Sequence, residues 1–261
     1  PKAKNILILG WNKHSLKLIN HISDNTSKSS KIIIAADCSD SKDQVNKFSS
    51  KMNLTLEHIA IDPTERSQLE GLPFNIIDHV VILPCFDVGP NIKPLSINQV
   101  DASTLVTLLN VRRIRQQGGY SLTITSEILD LENRTLIETK DNDDFVVSDH
   151  LISLALAQIS ENKALGPIFN RLFDPHGNEI YLKPISNYVK TGQPVPFITV
   201  VESALRQNET VIGCRVKARN KLEGSSNNEY DIILNPDKRS VFEFGIEDKI
   251  VVLADDEESS R

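Results

Sequence analysis

Short apolar runs recur through the first half of the chain, each followed by a polar turn and then by apolar residues three and four apart. Residues 5–10 (NILILG) read as a fully buried strand, and 14–23 as a helix with Leu16, Leu18, Ile19 and Ile22 on one side. Residues 31–37 (KIIIAAD) give a second buried strand ending in an acid. A helix over 41–52 follows, capped by Ser39, Asp40 or Ser41. A third strand covers 54–61, Asp62-Pro63-Thr64 caps another helix, and 77–83 is a fourth strand, apolar apart from Asp78 and His79. Residues 84–100 carry three prolines and a glycine and read as a loop, and 101–115 as a strongly amphipathic helix. Residues 122–126 and 145–147 supply a fifth and a sixth strand. Strand–helix alternation at this spacing predicts a doubly wound parallel sheet over residues 1–147.

The pattern then changes. Residues 148–162 form a helix opened by Ser148-Asp149, apolar around more than half its circumference through Leu151, Ile152, Leu154, Ala155, Leu156 and Ile159. Such a helix is expected to bury two faces, one within its own domain and one against a neighbour. A short helix over 164–173 and the turn 174–178 complete a crossover segment, 148–178. Short strands at 179–183, 211–217, 230–234 and 249–253, with one helix near 197–207, make 179–261 a small α+β lobe with a charged tail. The expected class is therefore α/β: a Rossmann-type doubly wound sheet, a crossover helix pair, and a small α+β C-terminal lobe.

Composition narrows the function. With 25% charged and 39% hydrophobic residues in 261, the chain reads as an ordinary soluble globular protein. A net charge of -6 gives no electrostatic footprint for nucleic acid. Its apolar runs fall short of the roughly 18 residues a membrane span needs. The chain opens Pro1-Lys-Ala-Lys and enters a strand directly, so no signal peptide is expected and the start reads as a cut from a longer protein. Cys38, Cys85 and Cys214 are far apart and odd in number, which suits free thiols in a reducing compartment.

The first turn carries the most chemical information. It reads Gly10-Trp11-Asn12-Lys13-His14-Ser15, where a dinucleotide-binding loop needs G-x-G-x-x-G so that the backbone can approach a pyrophosphate. Asn12 and Ser15 stand in the second and third glycine places, and Trp11 crowds the turn. The fold pattern survives while the cofactor pattern is damaged, which favours a sensor or regulator over a dehydrogenase. Asp37 ends the second strand and Asp62 the third, and each reads either as a ribose-binding acid or as a solvated helix cap. Gly10, Trp11, Asn12, Asp37 and Asp62 are thus the candidate ligand-binding residues. Asp141, Asp143 and Asp144, around Asn142, are hard oxygen ligands at a spacing that suits calcium, though without the glycine and distal glutamate of an EF-hand, so they also read as a solvated turn. Six scattered histidines and the lack of a G-x-S-x-G, P-loop or Cys/His pattern assign no catalytic residue, and the chain is read as a non-enzyme.

Four stretches resemble the regulatory domain of Castor/Pollux-type ion channels. They are residues 62–72 (DPTERSQLEGL) with 77–83, residues 101–112 (DASTLVTLLNVR), residues 126–130 (SEILD) with 145–157, and residues 172–179 (LFDPHGNE). Gly10-Trp11 also fits that family's variant opening. The matches run in order from about residue 5 to 185, although the loop 84–98 gives none and no pore is present. The resemblance implies an RCK (TrkA-like) module facing the cytoplasm. It implies a homo-oligomer, a dimer within a tetrameric gating ring, coupled to membrane pore segments of the same or a separate chain. The ligand it implies is calcium or a nucleotide. Two alternatives stay open: a soluble TrkA-like NAD(H)- or nucleotide-binding subunit regulating potassium transport, and an NAD-dependent oxidoreductase.

Overall fold

A computed structural model describes residues 3–24, 26–38, 41–49, 52, 54–86, 95–134, 144–174, 177–217 and 230–255. The chain divides into two compact units, Pro1–Lys163 and Ala164–Arg261. In the first, the elements follow as β1 (Asn5–Leu9), α1 (Ser15–Asp24), β2 (Lys31–Ala35), α2 (Ser41–Ser49), β3 (Thr55–Ile59), α3 (Arg66–Leu69) and β4 (His79–Ile82). Then come α4 (Ile97–Gly118), β5 (Thr123–Ile128), α5 (Leu131–Arg134), β6 (Asp144–Val147) and α6 (Ser148–Glu161).

The six strands pair in the order β3-β2-β1-β4-β5-β6, all parallel. This is the doubly wound Rossmann order, in which the chain returns to the middle of the sheet and continues the other way, leaving a switch point between β1 and β4. The central strands β2, β1 and β4 are apolar at every position after their first residue because helices cover both faces. Leu7, Leu9, Ile33, Val80 and Ile82 pack with Leu108, Val111 and Ile114 of α4. Ile6, Ile8, Ile32 and Ile34 pack with Ile19 of α1 and Val45 of α2.

Helix α4 begins four residues before the expected start. Ser96 Oγ accepts from the Gln99 amide while Gln99 Oε1 accepts from the Ser96 amide, a capping box that satisfies two donors at once. Helix α6 departs further from expectation, since none of its residues is buried. Leu151, Ile152, Leu154 and Leu156 are all more than half exposed, so the predicted burial within its own domain does not occur.

The second unit holds α7 (Leu165–Leu172), β7 (Glu179–Pro184), β8 (Pro194–Pro196), α8 (Phe197–Leu205), β9 (Thr210–Lys217), β10 (Tyr230–Leu234), β11 (Val241–Glu243) and β12 (Lys249–Ala254). An antiparallel sheet in the order β10-β9-β12-β7 and a β11–β8 ribbon enclose Phe197, Val200, Cys214, Phe244, Ile250 and Val252. Asp248, buried, accepts from the Lys217 amide at 2.8 Å and the Gly245 amide at 2.6 Å. The three-residue strands β8 and β11 are too short, and β8 too rich in proline, to show as periodicity. No helix among the described residues is long and apolar enough to cross a membrane.

Candidate functional site

The carboxyl ends of the parallel strands open into two clefts. The larger, about 640 Å³, is lined among others by Trp11, Asn12, Lys13, Glu127, Ser148 and Ile152. The smaller, about 410 Å³, is lined among others by Gly10, Asp37, Asp62, Thr64, Ser103 and Thr107. The five candidate residues therefore gather at one end of the sheet but divide between two cavities. Cys38 lines both.

Gly10 sits at φ +90° and donates its amide to Ala35 O at 3.1 Å. A Cβ there would lie 2.2 Å from Leu83 O, so only glycine fits between β1 and the end of β4. Trp11 is 5% exposed and packs into the Ile6–Ile8–Ile19 core, so the expected crowding of the turn is core packing.

Asn12 closes the loop on itself. Its amide donates to Ser15 Oγ at 2.8 Å, its Oδ1 accepts from the His14 amide at 2.9 Å, and its carbonyl accepts from the Ser15 amide at 3.0 Å. Three donors at the start of α1 that would face a diphosphate are thus already engaged. The Asn12 Nδ2 donates to Pro84 O at 3.2 Å and to Glu127 Oε2 at 3.4 Å, and Ser148 Oγ donates to Glu127 Oε1. A carboxylate held beside this loop opposes a second anion. Where a dinucleotide protein presents bare amides, this chain presents a side-chain amide tied to an acid.

Asp37 and Asp62 are both exposed. Asp62 Oδ1 accepts from the Thr64 amide at 2.9 Å and its hydroxyl at 2.7 Å. It therefore forms a turn of its own, while the N-cap of α3 is Glu65. Behind Asp37, Ser41 Oγ donates to Cys38 O at 2.8 Å and lies 2.9 Å from His58 Nε2. With the hydroxyl proton spent on the carbonyl, the imidazole carries its proton on Nε2. Burial lowers the His58 pKa below 6.5, helped by the Lys42 charge and opposed by Asp37.

The cysteine expectation is corrected here. Cys38 and Cys85 form a disulfide across 47 residues, because the sheet order brings the ends of β2 and β4 to either side of β1. Cys214 alone is free; burial pushes its thiol up to about 11, with the neighbouring Asp248 charge adding to it.

Asp141 and Asp143 lie outside the described residues, and Asp144 opens β6 opposite Thr125. Among the described residues no group of three or more His, Cys, Asp or Glu is placed to hold a metal ion.

Two further carboxylates matter that periodicity gave no reason to single out. Glu127 is the next-to-last residue of β5 and lines the larger cleft. Asp101, wholly buried in α4, accepts from the Leu129 amide at 2.9 Å, the Asp130 amide at 3.0 Å and Asn133 Nδ2 at 2.8 Å, fixing the turn after β5. Both lie inside stretches that carried the channel resemblance, which is the one sequence signal that marked them.

Fold and loop together define a class: a Rossmann-type α/β unit whose diphosphate cradle is filled by its own side chains, followed in the chain by an antiparallel unit. No protein-family profile matches the chain. It is 28% identical over 238 residues to a probable ion channel CASTOR of Oryza sativa subsp. japonica, covering 80% of this chain and 25% of that protein. It is 28% identical over 234 residues to the ion channel DMI1 of Medicago truncatula, covering 78% and 25%. Against the ion channel CASTOR of Lotus japonicus it is 24% identical over 291 aligned positions, covering 98% and 32%. Similarity to Castor/Pollux-type ion channels, first visible in four motifs, thus extends over most of the chain, which spans a quarter to a third of these relatives' length. Among solved structures, a short-chain type dehydrogenase/reductase from Mycobacterium marinum is 17% identical with a TM-score of 0.36, covering 63% of this chain and 70% of that one. A score this low carries nothing about chemistry.

Proposed function

We propose that this chain is the ligand-sensing regulatory part of a Castor/Pollux-like cation channel, facing the cytoplasm, not an enzyme. In this reading it works as a homo-oligomer, a dimer within a tetrameric gating ring, joined to pore segments of the same or a separate chain. The observation that carries the reading is α6, whose Leu151, Ile152, Leu154 and Leu156 are 53%, 56%, 51% and 62% exposed. Covering such half-exposed side chains contributes about 1 kcal/mol each. Association costs about 4–15 kcal/mol, so four side chains fall short and a stable interface recruits more apolar groups. In this proposal the segment 148–178 is the assembly segment, between a ligand-binding lobe and a C-terminal lobe.

Ligand at the strand ends acts only through its difference in affinity between two arrangements of the ring. The closed Asn12 loop and the Glu127 carboxylate weigh against a dinucleotide, and so against the oxidoreductase and NAD(H)-subunit alternatives. Light scattering across a concentration series, with and without calcium, tests the reading. We expect a dimer or larger species that Leu154→Glu dissociates; a strict monomer at high concentration in both conditions refutes it.

A further inference from the structure

Cys38 follows the end of β2 by three residues and Cys85 follows the end of β4 by three. Both strands flank β1, so the bridge passes over the carboxyl end of β1 at Gly10. Strands two places apart in a sheet are separated by about 9.6 Å, whereas these Cα atoms are 7.0 Å apart. The two segments therefore converge above Gly10, where the space a Cβ would need is taken by Leu83 O. Neither cysteine is buried, and both border a cavity, Cys38 the two clefts and Cys85 the smaller. Cys214, in contrast, is fully buried in the core of the second unit and borders neither cleft.

We propose that Cys38 and Cys85 are a redox-modification site, a dithiol that a small-molecule disulfide oxidises and a small-molecule thiol reduces, and that its state sets the wall of the strand-end clefts. The wall is the segment 84–86. Pro84 O accepts from Asn12 Nδ2, and Pro84 and Phe86 line the larger cleft. The bridge ties that segment to the β2 end, and reduction leaves it held by the Asn12 bond and its own packing. Oxidation proceeds in two exchanges. One cysteine thiolate attacks a small disulfide RSSR, giving a mixed disulfide and RS⁻. The second thiolate then attacks the protein sulfur of the mixed disulfide and expels another RS⁻. The two thiol protons pass to the two RS⁻ leaving groups, so the balance is two protein thiols and RSSR giving one bridge and two RSH. This inference stands on the thiols alone and does not need the channel reading.

The test uses the whole chain and its single tryptophan, Trp11, whose core cluster includes Cys38. The protein is equilibrated in glutathione buffers of graded oxidised-to-reduced ratio, trapped with excess maleimide at neutral pH and weighed intact, and Trp11 emission is recorded in parallel. We expect two labels to appear together in one two-electron transition, with Cys214 labelled only in denaturant. Trp11 emission should rise over the same transition as quenching by the nearby bridge is lost, and stay flat in Cys85→Ser. Two labels in the most oxidising buffer overturn the proposal. So do labels that appear only after denaturation, a glutathione adduct persisting on one cysteine, or a transition that leaves Trp11 emission unchanged. Should Cys85→Ser not fold by circular dichroism, the wild-type labelling and emission curves still decide the matter.

Discussion

Asp101 offers the sharpest test of how the larger cleft is held. Its carboxylate is 0% exposed and accepts three hydrogen bonds, two from the consecutive backbone amides of Leu129 and Asp130 and one from Asn133. In Asp101→Asn one oxygen becomes an amino group, and either orientation of the side-chain amide points that group at a backbone N–H. One charge-assisted bond, worth about 1.5–3 kcal/mol, is lost, and the orphaned amide costs about 1–3 kcal/mol more. Relief from burying a charge offsets part of this, which leaves a net loss of about 2–4 kcal/mol. Asp101→Ala removes all three acceptors and opens a small void, so it should cost more than Asp101→Asn. Urea denaturation followed by Trp11 emission measures the first unit specifically, because that unit contains the chain's single tryptophan. An Asp101→Asn midpoint equivalent to less than about 0.5 kcal/mol of change, at unchanged slope, would show that the turn after β5 does not depend on these bonds.

Three further outcomes are expected. Gly10→Ala must place a Cβ 2.2 Å from Leu83 O at φ +90°, so it should destabilise the first unit by about 2–5 kcal/mol, read from the same denaturation curves. Reducing the Cys38–Cys85 bridge opens a loop of 47 residues in the unfolded chain and should lower stability by about 4 kcal/mol, whereas the same reductant should leave Cys38→Ser unaffected. His58 has a folded pKa below 6.5, so its neutral form supports the fold fully above pH 6.5 and that support is lost as pH falls through the folded value. Thermal melts should therefore drop on acidification, and less steeply in His58→Gln; equal slopes would rule His58 out as the cause.

Most of the regular structure was legible as local pattern. The strand runs at residues 5–10, 31–37 and 77–83, and the change to short strands after 179, need only a few consecutive residues to be recognised. The early start of α4 is legible too, in the Ser96 and Gln99 spacing of a capping box, but the prolines before it give the whole stretch the pattern of a loop. The damaged glycine loop was read from four residues. Its physical meaning came only with the hydrogen bonds that Asn12 makes to both sides of the turn.

Sequence by itself determined the parallel α/β class, since period and order suffice for a doubly wound sheet, and the distance from a dinucleotide cradle, since glycine has no substitute there. Tertiary structure alone decided which distant groups meet: Cys38 with Cys85, Asn12 with Glu127, and Asp101 with the turn at Leu129. It also decided that α6 buries none of its residues within its own unit, where the apolar pattern predicts one face buried there and one against a neighbour. The reason is one of range. Propensity and periodicity act over one or two turns of chain, while each of these contacts exists only after the order β3-β2-β1-β4-β5-β6 has brought separate segments to the same end of the sheet.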